Sequence, residues 1–147
     1  MRNWNDYKED LEAGQQYQDY LLEKLLPHGI QLMYYTSLKK QKVGETINGI
    51  EVKYDRKFRK TGNLYITTQA RATSNSDYHP CGVTKLDNSW LYMIGDEKDV
   101  YILGKKQLYT FFKMGNFKEF EIPQETNKGF LINIKRSNWL ILNHIKF

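Results

Sequence analysis

The segment Gly44-Glu45-Thr46-Ile47-Asn48-Gly49-Ile50-Glu51-Val52-Lys53-Tyr54-Asp55 constrains this chain more than any other. Asn-Gly between two extended arms is a strong local signal for a tight turn, so the segment reads as a β-hairpin. In its second arm Ile50, Val52 and Tyr54 alternate with Glu51 and Lys53, which puts a carboxylate and an ammonium on one face of a strand. The loop length then decides where Glu45 goes. A two-residue loop would set Glu45 against Val52, pointing away from Glu51. A three-residue loop Ile47-Asn48-Gly49, with Gly49 left-handed and a G1 bulge, brings Glu45 directly opposite Glu51, and this is the register we expect.

Two carboxylates face to face without a cation repel each other, and one takes up a proton. The pair therefore makes best sense around a metal ion. Mg²⁺, or Mn²⁺ in its place, is a hard cation that takes one or two protein carboxylates beside water and substrate phosphate. A lysine on the same face can orient or help deprotonate an attacking water and offset the negative charge of phosphoryl transfer.

Along the rest of the chain, Asn5-Asp6 offers an N-cap. Leu11, Gly14, Gln18, Leu21, Leu22 and Leu25 then recur at helical spacing until Pro27 and Gly29. Residues 31–36 and 64–69 read as strands, and 72–89 as a long loop. Trp90–Ile94 and Val100–Leu103 read as a second hairpin, Lys105–Met114 as a helix and Gly129–Ile134 as a strand. Ser137 offers a cap for a short terminal segment with Trp139, Leu140 and Leu142. Tyr54 alternates away from Lys53 and reads as structural, and most of the aromatic residues read as core. The order suits a single domain, 1–147, with a mixed sheet and flanking helices.

Twenty-two Lys and Arg against 17 Asp and Glu leave a net charge of +5, which favours a polyanionic partner, nucleic acid before a membrane surface. The cations cluster at Lys39, Lys40 and Lys42 and at Arg56, Lys57, Arg59 and Lys60, with Arg71 farther on; these are the candidate phosphate contacts. No apolar run approaches the roughly 18 residues of a membrane span, and no apolar signal core follows Met1. The single cysteine, Cys81, has no internal disulfide partner, so a cytoplasmic location is expected. His79-Pro80-Cys81 falls short of a four-ligand zinc site, and there is no Gly-rich phosphate loop.

Taken together, Gly44-Glu45, then Gly49-Ile50-Glu51-Val52-Lys53-Tyr54-Asp55, then Thr61-Gly62-Asn63-Leu64-Tyr65-Ile66 resemble the PD-(D/E)XK nuclease superfamily, in particular its small phage-encoded members. Looser similarity extends through Asp87–Tyr92 and Gly129–Ile132. The resemblance implies an α/β fold: a single domain with a mixed central β-sheet, flanking helices and a restriction-endonuclease-like core of α-β-β-β-α-β order. It implies a metal-dependent nuclease of phage or mobile-element origin that hydrolyses phosphodiester bonds, with DNA the leading substrate. Glu45 takes the place of the first acidic residue, Glu51 the second and Lys53 the lysine. Val52 would add its carbonyl to the metal, and Gln18, on the inward stripe of the helix, would support the site. Glu45 stands where Asp is usual, Gln18 where Glu is frequent, and Thr67 near a position that is often acidic. The alternative keeps the fold without catalysis, as a module that binds nucleic acid or a host protein. A homodimer, or two successive events, would be needed to cut both strands.

Overall fold

The alternating segment does form a strand, β1 (Ile50–Tyr54), but its partner is distant. β1 pairs in parallel with β4 (Leu91–Gly95), setting Glu51 opposite Tyr92 and Lys53 opposite Ile94. The computed structural model describes residues 4–35, 37 and 43–147, with side chains from residue 9 onward except residue 10. β4 continues antiparallel into β5 (Asp99–Gly104), and β5 into β8 (Ile141–Lys146), giving a mixed sheet of order β1-β4-β5-β8. A second, antiparallel sheet joins β3 (His79–Pro80), β2 (Asn63–Ala70), β7 (Asn127–Asn133) and β6 (Phe120–Glu121) in that order. The helices are α1 (Trp4–Leu25), a single turn α2 (Phe58–Thr61) and α3 (Lys105–Lys113).

The expected α/β character holds, whereas one central sheet is replaced by two four-stranded sheets. The mixed sheet is the middle layer. On one face Ile50, Val52, Met93, Val100 and Ile102 pack against Tyr17, Leu21 and Leu25 of α1. On the other, Tyr92, Ile94, Tyr101 and Leu103 meet Leu64, Ile66, Phe130 and Ile132 of the second sheet, with Leu108 of α3. Both faces of the middle sheet are covered, so its strands carry apolar residues at odd and even positions alike.

The inward stripe of α1 runs through Tyr17, Leu21 and Leu25, four residues apart, while Leu11 is 49% exposed and Leu22 is also exposed. Successive helical residues are rotated by about 100°, which carries Leu22 off the line defined by Leu21. Tyr54 shares the parity of Ile50 and Val52 and stacks on Tyr17, ring centroids 4.6 Å apart. Trp90 and Trp139, by contrast, are exposed. The hairpin of β4 and β5, helix α3, and strands β2 and β7 lie where the sequence places them. Residues 31–35 make only an isolated bridge, Tyr34 to Thr46, and Thr36 lies outside the described residues. The end of the chain is a 3₁₀ turn, Asn138–Leu140, followed by β8, with no side-chain cap from Ser137. Leu142 therefore belongs to an edge strand and is exposed.

Leu21→Ala is expected to cost about 2–5 kcal/mol in urea denaturation, the range for emptying a fully buried leucine site, and Leu11→Ala less than about 0.5 kcal/mol. Equal costs would contradict this placement of α1.

Candidate functional site

β1 lies at the edge of its sheet, with β4 on one side only. An edge strand presents unpaired N–H and carbonyl groups outward. The outward N–H of Val52 is met by a side chain: it donates to Glu45 Oε2 at 3.0 Å. Gln18 of α1 donates through Nε2 to Glu45 Oε1 at 2.6 Å. Since the N–H and carbonyl of one residue leave a strand on the same side, the Val52 carbonyl also faces this edge.

The expected hairpin is therefore not formed, and Glu45 reaches β1 by its carboxylate rather than by strand register. The arm before the turn instead bridges residues 33–35: the Ile47 N–H donates to the Met33 carbonyl at 2.7 Å. The turn itself is tight. The Gly49 N–H donates to the Thr46 carbonyl at 3.3 Å, and Thr46 Oγ1 accepts from the Ile50 N–H at 2.7 Å. Gly49 has φ +76°, the left-handed conformation expected of it. The segment before β4 holds the arm in place. Asn88 donates through its N–H to the Val43 carbonyl at 2.9 Å and through Nδ2 to the Thr46 carbonyl at 2.8 Å. Trp90 donates through Nε1 to the Asn48 carbonyl and through its N–H to the Gly49 carbonyl, both at 2.8 Å. A Cβ on Gly49 would run into Trp90 Cδ1 and the Asn88 carbonyl, so glycine is required here on two counts.

Glu51 and Lys53 project together from the face opposite Ile50 and Val52, as alternation requires. Lys53 Nζ lies 2.8 Å from Glu51 Oε1, and the Glu51 side chain is 12% exposed against 43% for Lys53. Ser89 Oγ donates to Glu51 Oε2 at 3.5 Å. Lys53 also lines a small cleft of about 10 Å³, room for about one water, between the two sheets, together with Tyr65, Ile66 and Thr67 of β2, Gly82, and Tyr92 and Ile94 of β4. Cys81 stands close enough that its charge, when ionised, acts on Lys53, Tyr65 and Tyr92.

The electrostatics follow from this crowding. Burial pushes the Glu45 carboxyl up to about 7; the Lys53 charge opposes the shift, the Glu51 charge adds to it, and the hydrogen bonds from Val52 and Gln18 oppose it. Burial alone would lower Lys53, but the charge and hydrogen bond of Glu51, with Glu45 behind them, hold it above the ordinary lysine value. Lys53 is thus an ammonium at neutral pH. Burial, followed by the charge of Glu51, raises the Tyr92 phenol.

Among the described residues no group of three or more His, Cys, Asp and Glu side chains is gathered for a metal. The carboxylates of Glu45 and Glu51 lie near enough for their charges to act on each other, with the Val52 carbonyl at the edge that Glu45 meets. Burial is why Glu45 tends to hold a proton, and the Lys53 charge, paired with Glu51, only partly opposes it. A divalent cation would supply further positive charge, and a sparse, all-oxygen set suits Mg²⁺ or Mn²⁺, which keep several waters.

The basic residues divide. Arg59 is paired with Asp96 and Asp99 at the turn between β4 and β5. Burial alone would raise both carboxyls, but the hydrogen bonds from Arg59 hold them below the usual carboxylate range. Arg71 donates through Nε to the Glu125 carbonyl at 2.7 Å and lies over the Tyr78 ring. A guanidinium has five donors in a fixed fork, and in both cases three hydrogen bonds go to local acceptors. Arg56 lies 5.5 Å from the Tyr54 ring centre, and Lys57 and Lys60 are exposed around α2. Lys39, Lys40 and Lys42 lie outside the described residues.

Ser89 and Tyr92 belong to the site and were not singled out for it in the sequence. They enter through the parallel pairing of β1 with β4, which brings together segments about 40 residues apart and has no local signature. Compared with family models, curated proteins and solved structures, the chain matches none of them, so its function is argued from its own residues.

The folded protein holds the Glu45 proton up to about pH 7, while the unfolded chain releases it near 4.5. Metal-free stability should therefore fall as the pH rises through that window. Glu45→Gln cannot ionise and removes the fall. Its stability relative to the native protein is expected to rise between pH 4.5 and 8, by up to about 3 kcal/mol in urea denaturation. A difference that does not change with pH would contradict the position of Glu45.

Proposed function

We propose that the protein is a divalent-metal-dependent nuclease of the PD-(D/E)XK kind, hydrolysing phosphodiester bonds in nucleic acid, with DNA the leading substrate. One observation carries the reading: Glu45, Glu51 and Lys53 gather at a single edge strand, with Gln18 of the preceding helix bonded to the first of them. A helix packed on a mixed sheet whose edge strand bears Glu-Val-Lys supports a restriction-endonuclease-like core.

Glu45, Glu51 and the Val52 carbonyl would hold Mg²⁺ or Mn²⁺. When bound, the ion supplies Lewis acidity toward a phosphoryl oxygen and lowers the pKa of a coordinated water. The chain's own residues do the rest. Lys53, held protonated, acts as a hydrogen-bond donor and positive charge toward the attacking water or a phosphate oxygen; it is not the proton acceptor. Gln18 and the Val52 N–H fix both oxygens of Glu45, so the carboxylate is oriented before substrate arrives. Lys57 and Lys60, with Arg56 nearby, offer charge to flanking phosphates.

A second reading is a nuclease-fold module that binds nucleic acid or a host protein without cutting. It is favoured by the Lys53–Glu51 ion pair, which together with a protonated Glu45 satisfies the site without any metal. The two readings part on cleavage of a panel of single-stranded, duplex and branched DNA and RNA. The nuclease reading expects strand scission with Mg²⁺ or Mn²⁺ that stops in chelator and falls by about 10²-fold or more in Glu51→Ala and in Lys53→Ala. Undiminished cleavage by both variants would contradict these roles. No cleavage by the native protein, with no metal binding in calorimetry, would leave the binding module.

A further inference from the structure

Two buried side-chain polar atoms among the described residues have no hydrogen-bond partner, and one is the phenol oxygen of Tyr92. Tyr92 is 2% exposed. A buried hydroxyl without a partner is costly and calls for a reason. Its surroundings supply one. Tyr92 is the register partner of Glu51 across β1 and β4, and it lines the same cleft as Lys53. The Glu51 carboxylate is already engaged: Oε1 pairs with Lys53 at 2.8 Å and Oε2 has a long contact to Ser89 at 3.5 Å, while the Tyr92 phenol stands near enough for the Glu51 charge to act on it. The phenol is thus a donor standing beside a carboxylate whose first partner is a flexible, half-exposed lysine.

We infer that Tyr92 is a positioning residue of this site: its hydroxyl takes over as hydrogen-bond donor to Glu51 when Lys53 leaves the carboxylate for substrate or is displaced by the metal. The inference rests on the nuclease reading and adds to it a residue that acts through Glu51 without touching substrate. It gives a reason for a buried tyrosine hydroxyl that has no partner in hydrogen-bond geometry in the metal-free fold. A donor behind a metal-ligating carboxylate orients the ligand, and losing such a donor typically costs 10–100-fold in metal affinity or activity.

The test is calorimetric titration with Mn²⁺ alone of the native protein, Tyr92→Phe and Lys53→Met, alongside metal-free thermal melts. Tyr92→Phe is expected to melt at or above the native temperature, because it removes an unpaired hydroxyl, and yet to bind Mn²⁺ at least 10-fold more weakly. Lys53→Met, which removes the competing ammonium, should bind Mn²⁺ at least as tightly as the native protein. Equal Mn²⁺ affinity in Tyr92→Phe would overturn the inference and leave the nuclease reading standing. A large fall in melting temperature for Tyr92→Phe would make the hydroxyl structural and overturn it as well. If Tyr92→Phe does not fold, weaker Mn²⁺ binding by Lys53→Met overturns the exchange of partners. No Mn²⁺ binding by the native protein would overturn the nuclease reading itself, and the inference with it.

Discussion

The outward N–H of Val52 is the constraint around which the site is organised. An edge strand has to satisfy or expose such groups, and here a carboxylate satisfies one, Glu45 accepting at 3.0 Å. That bond draws Glu45 into a partly buried position where its charge is costly, and the cost appears as a pKa near 7. It also fixes the neighbours: Gln18 is held against the second Glu45 oxygen, which ties α1 to the edge of the sheet. A feature that protects an exposed strand edge therefore also creates an underneutralised carboxylate beside Glu51.

Alternation along β1 then keeps packing and chemistry apart. Ile50 and Val52 are buried against α1, and Tyr54 stacks on Tyr17, whereas Glu51 and Lys53 turn to the side of the second sheet. Both ends of the strand are fixed. At its start, Asn88 and Trp90 bond the carbonyls of residues 43–49. At its end, Asp55 accepts from the Lys57, Phe58 and Tyr65 N–H groups, joining β1 to α2 and β2. A strand anchored in this way holds Glu51 in place on a rigid element, as a site that works by orientation requires.

Much of this was legible locally. The alternation of Ile50 to Tyr54 gave a strand with Glu51 and Lys53 on one face, and helical spacing gave an inward-facing Gln18. Asn48-Gly49 gave a turn with a left-handed glycine. What the turn could not give was its partner. Hairpin register assumes that the two arms pair with each other, whereas β1 pairs in parallel with β4 and the first arm bridges residues 33–35. Long-range pairing also decided the fate of Arg59: nothing near it in sequence reveals Asp96 and Asp99, which the turn between β4 and β5 brings to it. The split into two sheets and the place of Tyr92 opposite Glu51 are non-local for the same reason.

In the reading we propose, Glu45 and Glu51 together hold a divalent cation at the edge of β1. Crystals of the native protein grown above pH 7.5 and soaked in Mn²⁺, with diffraction collected at the manganese absorption edge, test it most directly. The account expects one strong anomalous peak bonded to both carboxylates, with Lys53 turned away from Glu51. No peak there, with Lys53 still paired to Glu51 and the only manganese on unrelated surface carboxylates, would contradict it.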